Sequence, residues 1–159
     1  RPFNTFGPRQ SLRAVIPTVI SQFINTNNKK IMIGNLNSSR DFVYIKDTVD
    51  GLIKLMDAKN VLGEVINISS NNSYSVKDII EILSKYTKSK PQIIVQQKRK
   101  RVSELNKLRG SNKKIYKLTK WRPKYATKAN FSKALIETYK WFSEPKNFKN
   151  YQNLKKYHI

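Results

Sequence analysis

The chain reads as an α/β protein. Three observations predict this: four segments carry apolar residues at helical spacing, short runs of β-branched and aromatic residues lie between them, and Gly or Pro falls at several junctions. Arg1-Pro2-Phe3-Asn4-Thr5-Phe6 reads as a strand entering a Gly7-Pro8 turn. Val15, Ile16, Val19, Ile20, Phe23 and Ile24 then follow helical spacing, with Pro17 in the first turn. Residues 30–33 form a short strand ending at Gly34, and residues 41–45 a second, apolar one. Val49, Leu52, Ile53 and Met56 repeat at i, i+3, i+4, i+7 and predict a helix with a buried stripe, opened by Asp47 as its cap. Residues 64–68 alternate as a strand after the turn at Gly63. Val76, Ile79, Ile80 and Leu83 give the next helix, opened by Ser75 with Asp78 in the capping-box position. Residues 92–96 form a strand, residues 96–110 a polar, basic loop, and residues 112–118 a short helix. Phe131, Leu135, Thr138, Tyr139 and Phe142 mark a C-terminal helix. The expected organisation is one body over residues 1–142 and a basic tail or loose helix over residues 143–159.

Composition narrows the function. The 159 residues hold 32 Lys and Arg against 10 Asp and Glu, for a net charge of +22, with one His and no Cys. Without cysteine there is no disulfide framework, zinc ribbon or thiol nucleophile. The single histidine, His158, leaves little room for His-dependent triads or His-rich metal sites. No apolar run approaches the ~18 residues that span a bilayer. The charge invites a nucleic-acid reading. Only eight of the 32 cations are Arg, however, and a Lys-rich, Asn-rich, Ile-rich chain is also what AT-rich codons deposit on solvated faces. No RRM, KH or zinc signature accompanies the charge.

Two catalytic patterns bear on the chemistry. The five glycines (Gly7, Gly34, Gly51, Gly63, Gly110) make no dinucleotide or phosphate loop. Tyr-x-x-x-Lys, which on one helix face lets an ammonium lower a phenol pKa, occurs at Tyr86/Lys90, Tyr116/Lys120 and Tyr151/Lys155. In so Lys-rich a chain, chance accounts for all three. The scarce arginines are more informative, because a planar guanidinium grips a phosphate bidentately and an ammonium does not. Arg40 precedes an apolar strand, and Arg101 sits in the basic loop three residues before Glu104. Surface ion pairing is the competing role for each.

The ordered blocks carry a resemblance. Arg1-Pro2-Phe3-Asn4-Thr5-Phe6-Gly7-Pro8-Arg9-Gln10 resembles the segment after the catalytic helix in extended short-chain dehydrogenases acting on nucleotide sugars. Arg40-Asp41-Phe42-Val43-Tyr44-Ile45-Lys46-Asp47 resembles their R-D-F/Y-V/I-x-V-x-D block, and Gly63-Glu64-Val65-Ile66-Asn67-Ile68-Ser69 their G-E-x-x-N-I-G block, with Ser69 in place of Gly. Ser75-Val76, Arg101-Val102-Ser103-Glu104-Leu105 (Val102 replacing Pro) and Trp121-Arg122-Pro123 (Lys120 replacing the preceding Gly) follow in family order. The nearest subgroup is the NAD-dependent 4,6-dehydratases of the legionaminic-acid type, on the run Gly7 to Thr18.

The resemblance implies the last strands of a Rossmann-type parallel sheet plus the small substrate-binding α/β domain, with the NAD-binding half absent. It implies that Asn4, Arg40 and Arg101 contact the diphosphate or adjacent sugar and that Glu104 accepts from ribose hydroxyls. Val15, Ile16 and Pro17, with Ile31 and Ile33, would line the base, and Pro2 and Phe3 would approach the nicotinamide of NAD. The implied reaction is internal redox: hydride leaves sugar C4 for NAD, water is lost across C5–C6, and hydride returns to C6. No catalytic residue of that scheme is in this chain, so alone it is expected to be inactive and marginally stable. The substrate would be a nucleotide-linked N-acetylglucosamine, with UDP, GDP and dTDP all open. A cytoplasmic homodimeric parent without metal is implied. A 4-epimerase of the same family is the alternative, a non-catalytic remnant that still binds nucleotide sugar is a third reading, and a basic nucleic-acid-binding module is the distant one.

Overall fold

The computed structural model describes residues 1–25, 29–97 and 105–152. They divide into two compact units. One comprises Arg1–Phe6, Ser39–Tyr74 and Leu105–Ala134, the other Gly7–Ser38, Ser75–Glu104 and Leu135–Ile159.

In the first unit, β1 (Asn4–Phe6) and β4 (Phe42–Tyr44) pair in parallel, with Asn4 opposite Phe42 and Phe6 opposite Tyr44. On its other flank, just upstream, Pro2 bridges Ile68 in parallel, and the Phe3 N–H donates to the Ile68 carbonyl at 2.9 Å. The strand expected over residues 64–68 is thus only this bridge. A turn in which the Glu64 N–H donates to the Val61 carbonyl (3.1 Å), with Gly63 at φ 77°, takes up the residues before it. β3 (Ser39–Arg40) lies between β5 (Tyr74–Ser75) and β7 (Lys107–Leu108) and pairs in parallel with β7, so part of the expected loop is a strand.

Helix α2 (Ile45–Met56) follows β4 without a connecting residue, and α4 (Lys113–Thr119) and α5 (Lys128–Ser143) complete the helices of this unit, α5 as far as Ala134. Val43, Ile66, Ile68, Ile115 and Trp121 form one core cluster, with Phe3, Leu55, Val61 and Leu118 packed against it. Aromatic rings form a second. Tyr74 stacks on Phe131 at 3.9 Å between centroids, Phe6 meets Phe131 at 5.3 Å, and Tyr125 meets Tyr44 edge-on at 4.8 Å. Such pairs add about 0.5–1.5 kcal/mol each beyond the area they bury.

Two expectations about α2 are corrected. The stripe Val49, Leu52, Ile53 and Met56 does not face the core. These residues are exposed, and the buried side is Asp47, Thr48 and Gly51. Only small or hydrogen-bonded side chains fit there, because Ile68 and Trp121 already fill the space: a Cβ at Gly51 would lie 3.1 Å from the Ile68 side chain. Nor is Asp47 the cap. Tyr44 occupies that position in extended conformation, and the Asp47 carboxylate accepts from the Lys124 and Tyr125 N–H groups, each at 2.9 Å.

The second unit holds α1 (Val15–Asn25), β2 (Lys30–Ile33), α3 (Val76–Thr87), β6 (Gln92–Val95), the rest of α5, and α6 (Pro145–Gln152). β2 and β6 pair in parallel, Lys30 opposite Gln92 and Ile33 opposite Val95. Here the periodic stripes do face inward: Ile16, Val19, Ile20 and Phe23 of α1, Ile79, Ile80 and Leu83 of α3, and Ile31 and Ile33 of β2 are buried. Gln22 acts as a one-residue strand against β2, accepting from the Met32 N–H at 2.7 Å and donating to its carbonyl at 3.1 Å. The Ser75–Asp78 capping box forms as expected. Beyond Ser143, Phe148 of α6 is buried, so part of the expected tail packs.

The departure at position 120 now has a geometry. Lys120 ends α4 at φ 59° and ψ 10°, the left-handed region where a glycine is usual. A Cβ there costs about 1–2 kcal/mol, and glycine gives part of that back through its freer unfolded chain. Lys120→Gly should therefore stabilise the protein by roughly 0.5–1 kcal/mol, read as a raised urea midpoint at unchanged slope.

Candidate functional site

The densest polar cluster of the first unit forms around Asp41, the single residue between β3 and β4. It follows Arg40 and precedes the apolar run Phe42-Val43-Tyr44, and its side chain is fully buried. One carboxylate oxygen accepts from the Ser70 N–H (2.8 Å) and the Ser70 hydroxyl (2.7 Å), the other from the Gly110 N–H (3.1 Å). Its main chain is held as well. The Asp41 N–H donates to the Leu108 carbonyl at 2.9 Å, and its carbonyl accepts from the Asn4 amide at 3.1 Å. Burial pushes the Asp41 carboxyl above its ordinary value, and the Ser70 hydroxyl and the N–H groups of Ser70, Gly110 and Asn71 offset part of that rise. A carboxylate removed from water is tolerated only where such donors replace the solvent.

Two expected diphosphate contacts meet at this residue. Asn4, on β1, bonds to the Asp41 carbonyl, and Arg40 precedes Asp41 on β3. The Arg40 Nη1 donates to the Ser39 carbonyl at 2.9 Å and the Leu105 carbonyl at 2.8 Å, which sets the plane of the guanidinium from the backbone. Arg101 and Glu104 lie outside the described residues. Pro2 is exposed and Phe3 half-buried. The Phe3 ring rests on Gly110 so closely that a Cβ there would sit 2.6 Å from both Phe3 Cζ and Ser69 Cβ. Gly110 is thus required by close approach, and Ser69 by its own Cβ makes that approach tighter. The Ser69 hydroxyl is buried with no hydrogen-bond partner, which is the cost of a side chain at this position.

The five expected base-lining residues lie in the second unit. Ile16, Pro17, Ile31 and Ile33 are buried in its core, where α1 packs on β2, and Val15 is half-buried. The three Tyr-x-x-x-Lys pairs do not form a catalytic face. Lys90 lies beyond the end of α3, and Lys155 lies outside the described residues. Lys120 caps α4 with its ammonium 5.5 Å from the Tyr116 ring centroid. There Arg122 donates to the Tyr116 phenol at 2.9 Å and lowers its pKa, on an exposed surface. Among the described residues no group of three or more His, Cys, Asp and Glu gathers as a metal site, and no helix is long and apolar enough to cross a membrane.

Asp41, Ser70 and Gly110 were given no role by the sequence reading. The signal available was the acid itself: a carboxylate between two strands, next to three apolar residues, must be buried with donors or not buried at all.

The described strands pair in parallel and are joined through helices, and the superposition on solved relatives gives the class: the fold is that of the Rossmann-type extended short-chain dehydrogenases. The sequence profile described as GDP-mannose 4,6 dehydratase matches residues 1–133, and the chain belongs to that family. It is 26% identical over 141 residues to the GDP-6-deoxy-D-mannose reductase of Pseudomonas aeruginosa, covering 86% of this chain and 46% of that protein. It superposes on the UDP-glucuronic acid 4-epimerase of Bacillus cereus, solved with UDP-glucuronic acid and NAD, with a TM-score of 0.75 and 26% identity over 91% of this chain and 44% of the other. The NAD-bound dTDP-glucose 4,6-dehydratase of Bacillus anthracis shares the fold, with a TM-score of 0.78 at 23% identity over 98% of this chain and 46% of that one. The chain therefore spans about half the length of the relatives it matches.

Two predictions follow from the packing and the buried acids. Gly110→Ala should destabilise by about 1–3 kcal/mol through overpacking, and Ser69→Gly in the same chain should restore part of the loss. A double-mutant cycle of denaturant melts measures the coupling. Asp47 is also raised by burial, offset by the Tyr125 and Lys124 N–H groups and reinforced by Asp50. A raised native pKa means that its contribution is fully present below the ordinary value of 3.8 and is lost as pH rises through the native value. Asp47→Asn, which forfeits one acceptor at a cost of about 1–3 kcal/mol, should be most destabilising near pH 4 and less so near pH 7. Melting curves at the two pH values check the sign.

Proposed function

We propose that this chain is the nucleotide-sugar-binding portion of an NAD-dependent NDP-hexose 4,6-dehydratase acting on a nucleotide-linked N-acetylglucosamine. The observation that carries the reading is that the Asn4 amide and the Arg40 guanidinium are each fixed by main-chain carbonyls in neighbouring places: Asn4 bonds to the Asp41 carbonyl, and Arg40, the residue before Asp41, bonds to the carbonyls of Ser39 and Leu105. An amide and a guanidinium held in this way suit a preset clamp for a diphosphate. Family membership supports the substrate class, since the matching relatives are named for nucleotide sugars.

In this reading Arg40 balances the charge on one phosphate and Asn4 donates to it. Arg101 adds the second cation, and Glu104 accepts from the ribose. Val15, Ile16, Pro17, Ile31 and Ile33 give the base its apolar wall. Ile16, Pro17, Ile31 and Ile33 are buried within their own unit, so they would act by shaping that wall more than by direct contact. NAD supplies the hydride chemistry when bound. This chain has no glycine-rich cradle for it, and only Pro2 and Phe3 would reach it, the latter fixed by its seat on Gly110. Asp41 acts through geometry: its carboxylate holds the segments at Ser70 and Gly110, and its main-chain carbonyl holds Asn4.

The 4-epimerase alternative is favoured by the 26% identity to the UDP-glucuronic acid 4-epimerase. The test is turnover by the intact gene product that contains this chain, offered UDP-, GDP- and dTDP-linked hexoses and N-acetylhexosamines. Formation of a 4-keto-6-deoxy sugar is expected. A 4-epimer instead selects the alternative, and neither product from any of them sinks both. In an active enzyme, Arg40→Lys should raise KM for the nucleotide sugar by roughly tenfold or more with a smaller change in kcat, because the ammonium keeps the charge and loses the fork.

A further inference from the structure

The stretch from Leu105 to Ile136 holds ten Lys and Arg and no Asp or Glu. Background lysine does not explain this, because elsewhere in the chain the cations are interspersed with acids. At its centre is α4. Ile115 is buried beneath the helix, and Lys113, Tyr116 and Lys117 are exposed on the other side. Lys120 closes the helix with its ammonium 5.5 Å from the Tyr116 ring centroid. The Arg122 guanidinium lies 4.6 Å from the same centroid and donates to the phenol at 2.9 Å. Among the described residues no carboxylate pairs with Lys113, Lys117, Lys120 or Arg122. A rise of about 1.5 Å per residue keeps Lys113 to Lys120 within about 10 Å, one Debye length, so these cations act as one field.

An apolar projection adjoins this helix. Leu62 is 96% exposed on the turn that includes Gly63, and Val65 is 53% exposed just after it. The turn is fixed to α4. Val61 and Leu118 pack on the same core cluster, and the Lys114 ammonium bonds to the Glu64 carboxylate and, at 2.9 Å, to the Val65 carbonyl. The acid of the turn is thereby matched within the protein, and the lysines of the outer side of α4 are left for something else.

We propose that α4 and the turn at Leu62 form a docking face for an anionic lipid surface. The inference is independent of the reaction proposed above. Charge complementarity is the first support, since each lysine near an anionic leaflet raises the partition about fivefold. The second is the projecting Leu62 with Val65, which acyl chains would cover and the phosphates of a nucleic acid would not. The third is Tyr116. A phenol ringed by cations suits the headgroup layer, and Arg122 already lies over its ring, which leaves that face closed to a stacking base.

The test is co-sedimentation of the intact gene product that contains this chain with vesicles of equal parts phosphatidylglycerol and phosphatidylcholine, and with vesicles of phosphatidylcholine alone, at physiological salt. Binding to the first and not to the second is expected. Lys113→Gln with Lys117→Gln should lower the partition by roughly twentyfold, and Leu62→Ser by roughly tenfold. Lys77→Gln with Lys85→Gln removes the same charge from exposed positions of α3 and should leave the partition unchanged. All five positions are exposed, so each variant should keep the melting temperature of the parent. Equal loss from the α3 pair overturns the proposal, because net charge then explains the binding. So does partition that ignores Leu62, or no binding to the phosphatidylglycerol vesicles. Tighter binding of a duplex or single-stranded oligonucleotide, lost with Lys113 and Lys117 and indifferent to Leu62, assigns the face to nucleic acid and overturns it as well.

Discussion

The Asp41 carboxylate is the constraint on which the first unit depends. It gathers donors from residues 70 and 110, and its main chain ties residues 4 and 108 to the same point. These three segments, at residues 4, 70 and 108–110, are far apart in sequence, and apolar contacts specify relative register less sharply than a charged acceptor does. Apolar packing tolerates sliding and repacking, whereas a buried carboxylate that misses its donors is penalised at once. The parallel pairing of β3 with β7, the seat of Phe3 on Gly110 and the anchoring of Asn4 all lie within one or two residues of bonds to Asp41.

A second buried acid does similar work at the next turn. Asp47 fixes the segment at residues 124–125 against the start of α2. That segment brings Tyr125 onto Tyr44 and leads to Ala126, whose carbonyl accepts from the Tyr74 hydroxyl at 2.8 Å. Asp41 and Asp47 therefore bracket the β4–α2 junction. Between them they replace the loop that ordinarily separates a strand from a helix, and this is why α2 can begin directly at Ile45.

Where a periodic stripe and the core coincide, the sequence was sufficient. α1 and α3, with β2 between them in the same unit, were legible because Phe23, Ile79 and Leu83 are both periodic and buried. α2 was legible as a helix but inverted in orientation, since periodicity reports that a helix has an apolar face and says nothing about what lies against it. The bridge at Ile68 and the two-residue strand at Lys107 could not be read locally, because each exists through a partner many residues away. At the site, the scarcity of arginine points to Arg40, whereas nothing local singles out its neighbour Asp41, whose donors come from residues 70 and 110. Gly110 was equally silent, because its need arises from Phe3 and Ser69, which touch it only in the folded chain.

The division of the chain has a consequence for how it folds. Each unit is built from three separated stretches, alternating along the sequence, and the first needs residues up to Ala134 to supply Phe131 to its aromatic cluster. Neither can close while the ribosome has delivered only the first half. Strand β1 must wait for β4, β3 for β7 and β2 for β6, with their apolar residues and unpaired edges in water meanwhile. Such long-range pairing is slow relative to local helix formation. The nascent chain therefore passes through an interval in which α1 and α3 can form while the β2–β6 and β3–β7 pairs are still incomplete, and that interval is where chaperone binding and aggregation compete with the native fold.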